Sequence, residues 1–206
     1  MTIFLVFAIF LSITSHEWAH GFAADKLGDP TPKSCGRLTF NPVVHIDIFG
    51  TLILPVLLCV MSLTFWGYPL VFGYAKPVEI NPNHFKQPKR DILWVGLSGP
   101  LMNLAIALVL TLFLKVVKVG SQADLFLGII LVNLILFVFN LLPIPPLDGA
   151  KVLASLLPYR FHYKYLRLAK FGFPVIVVLF LMGFMHWLIF PVVNAILQVL
   201  GVYLRV

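Results

Sequence analysis

The most pointed chemistry in this sequence of 206 residues lies in the run His16-Glu17-Trp18-Ala19-His20. Side chains four apart share one face of a helix, with Cβ atoms about 5–6 Å apart. Two imidazoles so placed can hold one metal ion, and a glutamate on the same turn can reach a water on it. This is the H-E-x-x-H pattern of zinc-assisted peptide hydrolysis, in which the glutamate is the general base. The same pattern arises by chance in soluble helices, where the side chains are merely solvated. The surroundings separate the two readings. Residues 1–15 carry no charged side chain, and an ionisable group at the centre of a membrane-spanning helix costs about 2.5–3.5 kcal/mol. Three such groups in an apolar helix point to a metal centre.

A catalytic zinc usually takes three protein ligands and keeps a fourth position for water, so two histidines are not enough. Few acidic residues lie near membrane depth. Asp148 lies in Leu142-Pro143-Ile144-Pro145-Pro146-Leu147-Asp148-Gly149, where three prolines within four residues break the helix and Gly149 tolerates conformations that other residues avoid. Asp148 is either the third ligand or a cap on the helix starting at Ala150, a common role for aspartate. Asp47 and Asp91 are rivals, but both fall in loops expected to be solvated. His45 reads as a hydrogen-bonding loop histidine that could assist near the site. Cys35 and Cys59 are expected to be free thiols.

The elements that must position these groups are apolar. The chain is 60% hydrophobic and 11% charged, against about 25% charged in soluble domains, and its mean hydropathy is +0.99. A span needs about 20 largely apolar residues. Five stretches qualify or nearly do: residues 2–24, 49–72, 92–114, 125–142 and 171–204, the last long enough for one span and a second short or interfacial helix from near Pro191. The expectation is one all-α, polytopic integral-membrane domain over residues 1–206. Its catalytic core covers about 1–157 and C-terminal helices about 171–204. Residues 1–15 lack the basic start of a signal peptide and read as a retained span. The net charge of +7 points to cytoplasmic loops and anionic lipid, with no aromatic-interleaved basic patch for nucleic acid.

Basic residues cluster after the first span (Lys26, Lys33, Arg37), before the third (Lys76, Lys86, Lys89, Arg90) and after the fourth (Arg160, Lys164, Arg167, Lys170), with only Lys115 and Lys118 between the third and fourth. The positive-inside rule puts the three rich groups in the cytoplasm. Residues 49–72, with Pro55, Gly67 and Pro69, then start and end on one side, as a re-entrant hairpin would; if they cross fully, this count of crossings fails. On this orientation His16, Ser98-Gly99-Pro100 and Asp148 are expected to converge at one depth near the cytoplasmic surface. Residues 30–47 and 73–81 are expected to form a small β-hairpin or sheet there. Its edge either pairs with an unwound substrate or is an ordinary loop hairpin.

Three segments resemble the signatures of the site-2 protease family of intramembrane zinc metalloproteases, in order and spacing. They are His16 to His20, Ser98-Gly99-Pro100-Leu101-Met102-Asn103, and Asn140 through Leu147-Asp148-Gly149. Arg37-Leu38-Thr39-Phe40-Asn41-Pro42 and Gly73-Tyr74-Ala75-Lys76-Pro77-Val78 resemble its compact bacterial branch, which carries no PDZ or CBS domain. The resemblance implies one zinc held by His16, His20 and Asp148, Glu17 as catalytic base, and a three-helix core. It implies hydrolysis within or near the single transmembrane helix of a membrane-anchored protein. Asn140 is a candidate oxyanion donor, with bonding of free backbone as its other role. Asn103 reads as a helix–helix contact, with Gly99 allowing close approach. Asn133, Asn194, Gln198 and His186 read as polar contacts within the bundle. A metal transporter would want ligands strung along a path, and a non-catalytic helix-binding relative would not need Glu17. Glu79 is the rival third ligand if the chain follows another H-E-x-x-H family.

Overall fold

The computed structural model describes residues 2–66, 73–117 and 123–202, and among them the regular structure is entirely helical. Gly67, Pro69, Lys118 and the end of the last apolar stretch lie outside the described residues. Helix α1 (Thr2–Leu27) contains the H-E-x-x-H run. It stops at Gly28, whose φ of +107° lies in the left-handed region. The Asp29 N–H then returns to the Ala24 carbonyl at 2.9 Å, a six-to-one closure for which glycine is the natural residue. Helix α2 is one turn, Thr31–Ser34. The buried Asp29 carboxylate knots this corner. It accepts from the Thr31 hydroxyl and N–H, from Asn81 N–H at 2.7 Å and from His84 Nδ1 at 2.8 Å.

The β-hairpin expected from residues 30–47 and 73–81 is not found among the described residues. The prolines and short polar side chains of the first stretch divert its backbone into turns. Asn41 caps a 3₁₀ turn, Pro42–His45, through the Val43 N–H, and Asp47 caps a π-helical turn, Ile48–Ile53, through the Gly50 N–H. Asp47 is therefore engaged rather than freely solvated. Residues 73–81 stay extended without becoming a strand, and Pro77 has no N–H to give. Alternate amides of this segment are anchored elsewhere: Tyr74 to Gly50 O at 3.0 Å, Lys76 to His45 O at 2.8 Å and Val78 to Glu17.

Helix α3 (Leu54–Trp66) continues from the π turn. Helices α4 (Pro88–Val116) and α5 (Ala123–Asn140) are each long and apolar enough to cross a membrane. Helices α6 (Asp148–Leu156) and α7 (Tyr159–Leu166) follow the proline segment, where the Pro145–Pro146 peptide is cis. Helix α8 (Ala169–Leu181) breaks at Gly183, which has a φ of +78°, before a π turn, Met185–Ile189, and helix α9 (Phe190–Val199). The two halves meet at 76°. The last apolar stretch is thus broken into two helices at Gly183.

Helix α1 packs on α4 and α5, α4 on α5 and α6, and α5 on α9. An apolar cluster of Ala107, Ile130, Leu134, Ile189, Val193 and Leu197 ties α4, α5 and the last helix together. Val193 and Leu197 take the inward stripe of α9, so Asn194 and Gln198 are exposed, as is His186. None of the three lies inside the bundle as expected. The outer faces of α3 and α4 present Val56, Val60, Val109 and Leu112. Apolar surface on this scale faces lipid, and the chain is a membrane protein.

A candidate metal centre between α1, α4 and α6

Two four-residue stripes meet at the centre of the molecule. Ser12, His16 and His20 recur every fourth residue on α1, and Val95, Gly99 and Asn103 do so on α4. Residues at this spacing form a ridge, and two such ridges can run against each other. The observed partners run in opposite order along the two helices. Asn103 reaches the Ser12 carbonyl and His16, while Val95 reaches His20. Gly99 lies between them. A Cβ there would sit 2.4 Å from His20 Nε2 and 2.6 Å from His16 Nε2. Only hydrogen at this position lets α4 close over the imidazoles.

Asp148 completes the cluster from 132 residues away in sequence. Its Oδ2 lies 3.0 Å from His16 Nε2 and 3.0 Å from His20 Nε2, and the two Nε2 atoms are 3.1 Å apart. All three side chains are buried, and they form the one such group of His, Cys, Asp and Glu among the described residues. The N-cap of α6 is Leu147, and no side chain caps that helix, so Asp148 is not occupied as a cap. Its other oxygen accepts from Lys151 Nζ at 2.8 Å. Gly149 owes its place to close approach rather than to an unusual backbone conformation: a Cβ would fall 2.1 Å from the Leu141 carbonyl oxygen.

The hydrogen-bond network fixes which imidazole nitrogen carries the proton. His20 Nδ1 lies 2.6 Å from the Val95 carbonyl, which can only accept, so Nδ1 donates. The argument for His16 starts at Asn133. Its amide nitrogen donates to the Ile129 carbonyl and to Ser12 Oγ, which leaves Asn133 Oδ1 facing Asn103 Nδ2 at 2.9 Å. Asn103 must then turn Oδ1 to His16 Nδ1, 2.6 Å away, and this nitrogen also donates. With Nδ1 protonated, a neutral imidazole at each position presents a bare Nε2 to the same point as a carboxylate oxygen. Three lone pairs within about 3 Å repel one another. A proton relieves one contact, whereas a divalent cation satisfies all three. Ligand atoms at about 2.05 Å from a tetrahedral zinc lie about 3.3 Å apart, so the observed triangle fits that ion. Turning the second ring nitrogen onto a fixed acceptor is also how ligating histidines are held.

Glu17 follows His16 on α1 and is half-buried. Its Oε2 accepts from the Val78 N–H at 2.9 Å, so the extended segment holds this carboxylate beside the triad. Asn140 stays with its own helix, donating from Nδ2 to the Leu136 carbonyl at 3.0 Å. The rivals lie elsewhere. His45 is buried against Thr39 O, and Glu79 is exposed and met by Cys35 Sγ at 3.7 Å. Asp91, expected to be solvated, is buried at the first turn of α4, where it accepts from the Gln87 N–H. Asn103, by sequence a helix–helix contact, also bonds His16. Its spacing of four from Gly99 was the available signal. Val78 carries no signal of its role in its type or spacing.

The family model for Peptidase family M50 matches residues 114–184. YwhC of Bacillus subtilis is 35% identical over 202 residues, covering 93% of this chain and 86% of its own. Rip2 of Mycobacterium tuberculosis is 31% identical over 195 residues, covering 93% and 72%. MJ0392 of Methanocaldococcus jannaschii is 26% identical over 160 residues, covering 77% and 36%. The names of all three are those of zinc metalloproteases. No solved structure matches. A relative similar along almost its whole length, together with a buried His-His-Asp triangle, places the chain in Peptidase family M50, the site-2 proteases.

Proposed function

We propose that His16, His20 and Asp148 hold the single zinc of this metalloprotease and that Glu17 is its general base. The observation that carries this is the convergence of two bare Nε2 atoms and one carboxylate oxygen, with both Nδ1 protons committed elsewhere. When bound, zinc supplies Lewis-acid polarisation of the scissile carbonyl and acidifies water towards a pKa of about 7. Glu17, held in place by Val78, takes the proton of the attacking water and passes it to the leaving amine. Asn140 has a second amide N–H beyond the one given to Leu136, and it donates this to the developing oxyanion. Lys151 holds one oxygen of Asp148, leaving the other to face the imidazoles.

The substrate is a membrane-anchored protein cut within or near a single transmembrane helix, which unwinds locally before attack. The chain is one catalytic domain that crosses the membrane several times, with its active centre near the cytoplasmic face of a bacterial membrane. The basic groups support this orientation. The hydrogen bond from Tyr74 to Gly50 supports the re-entrant reading of residues 49–72, because it ties the two ends of that stretch at one level. A transporter would need ligands in succession, and the described residues supply one compact centre.

The test is zinc content and cleavage measured together on purified protein with a tagged single-span substrate. Glu17→Gln should retain zinc and lose about 10²–10⁴-fold in rate. Asp148→Ala should lose zinc, and Glu79→Ala should keep both zinc and activity. Full zinc in Asp148→Ala, or undiminished cleavage by Glu17→Gln, would refute the assignment.

A further inference from the structure

A cavity of about 520 Å³ lies beside the centre, between α1, α5, the α8–α9 break and the loop segments at 42–55 and 73–75. Its walls are almost wholly apolar, with Ile13, Leu136 and Phe139 among them. Ile13 and Thr14 lie within one turn of His16 on α1. Ala75 is three residues from Val78, which holds Glu17. The cavity falls within the usual range for ligand pockets, about 300–1,000 Å³, and has room for two or three apolar side chains.

One atom in this wall is out of keeping with the rest. His45 lines the cavity and is 2% exposed, and its Nδ1 has no hydrogen-bond partner. Its Nε2 lies 3.2 Å from the Thr39 carbonyl, which can only accept, so Nε2 carries the proton. Nδ1 is therefore a bare acceptor, buried in the wall of this apolar cavity, where a donor can reach it only when an occupant parts the wall. Buried polar groups in folded proteins nearly always have partners, and an exception calls for an explanation. The 3₁₀ turn that carries His45 is also fixed, since Lys76 N–H donates to the His45 carbonyl.

We infer that His45 is a substrate-positioning residue. Its Nδ1 accepts a hydrogen bond from a backbone N–H of the unwound substrate while apolar substrate side chains fill the cavity. This rests on the protease reading. A transmembrane helix opened for cutting releases N–H groups that have no water to bond in an apolar chamber. A fixed acceptor next to the catalytic centre stabilises the opened form and sets its register. The occupant is a peptide, because the orphaned group needs a hydrogen donor and an acyl chain has none.

The experiment measures binding and cleavage separately. A fluorescent single-span peptide is titrated onto zinc-loaded Glu17→Gln in detergent, with and without His45→Phe, which keeps the ring and removes the acceptor. The same pair is repeated with peptides in which one backbone amide at a time near the cut is replaced by an ester, removing its N–H. One ester position should weaken binding to Glu17→Gln about three- to tenfold, the scale of one net hydrogen bond, and have no further effect once His45 is Phe. In the otherwise wild-type chain, His45→Phe should raise KM more than it lowers kcat, with zinc content unchanged. His45→Gln, which offers an amide oxygen, should recover part of the loss. Unchanged affinity in His45→Phe, or ester effects equal in both backgrounds, would overturn the inference. So would a co-purifying lipid, seen by mass spectrometry, that leaves only with His45→Phe. If Glu17→Gln keeps zinc and loses cleavage while these outcomes occur, the protease reading stands and only the role of His45 falls.

Discussion

Gly99→Ala adds one methyl group to the most crowded point of the molecule. The new Cβ would lie 2.4 Å from His20 Nε2 and 2.6 Å from His16 Nε2, whereas ordinary contact begins at 3.4 Å. Something must move by about 1 Å. The imidazoles cannot turn aside freely, since Val95 O and Asn103 Oδ1 hold their Nδ1 atoms at 2.6 Å. Helix α4 cannot retreat freely either, because it is packed between α1, α5 and α6. Ligand distances in a well-formed metal site keep within about 0.2 Å of their standard values, and this displacement is about five times that. Breaking a partner outside the ligand set costs about 10–100-fold in metal affinity. Displacing two ligands at once should cost at least the upper end of that range, or about 2.7 kcal/mol. The assay is competition for zinc against a chelator of known affinity, followed by elemental analysis of the retained metal. Circular dichroism then confirms that the helices persist. Wild-type zinc affinity in folded Gly99→Ala would refute the reasoning, because it would mean that α4 does not close over the two histidines.

Substitutions at two further positions, Asn103 and Asn133, separate positioning from bulk stability. Asn103→Ala removes the acceptor that fixes His16 and should weaken zinc binding about 10–100-fold. Asn103→Asp restores an acceptor and should recover most of it, while Asn133→Ala breaks the same network beyond His16 and should lower thermal stability far more than zinc affinity. Equal zinc loss in Asn103→Ala and Asn133→Ala would count against a specific role for Asn103. Asp29 gives a pH signature. Burial disfavours its charge, but the bonds from Thr31, His84 and the Asn81 N–H outweigh that and hold its pKa below the ordinary value. A carboxyl depressed on folding stabilises the protein above its unfolded pKa of about 4 and loses that contribution as pH falls through the folded value. This contribution of Asp29 should therefore fade as pH falls below about 4, and Asp29→Asn should be less stable at pH 6 with a flatter slope in that window. Parallel profiles would show that the charge of Asp29 contributes nothing.

The sequence by itself determined what is local. The four-residue spacing of His16 and His20, the adjacent Glu17 and the apolar length of the helices all follow from the period of one helix and the chemistry of its side chains. The prolines before Asp148 announced a broken helix. The same kind of local reading misjudged residues 30–47. There β-favouring runs suggested a hairpin, but Asn41 and Asp47 bond their own backbone and wind the chain into turns. Tertiary structure alone decided which groups face one another. It brought Asp148 across 132 positions to the imidazoles, turned Asn103 and the Val95 carbonyl onto their outer nitrogens, and set Val78 against Glu17. Apart from the four-residue spacing that puts Asn103 on the Gly99 face of α4, these contacts have no period or spacing of their own. The contacts among Asp148, Asn103, Val95 and the imidazoles exist because α1, α4 and α6 pack together, with Gly99 where α4 meets the two rings, and the Val78 contact because the extended segment runs beside α1.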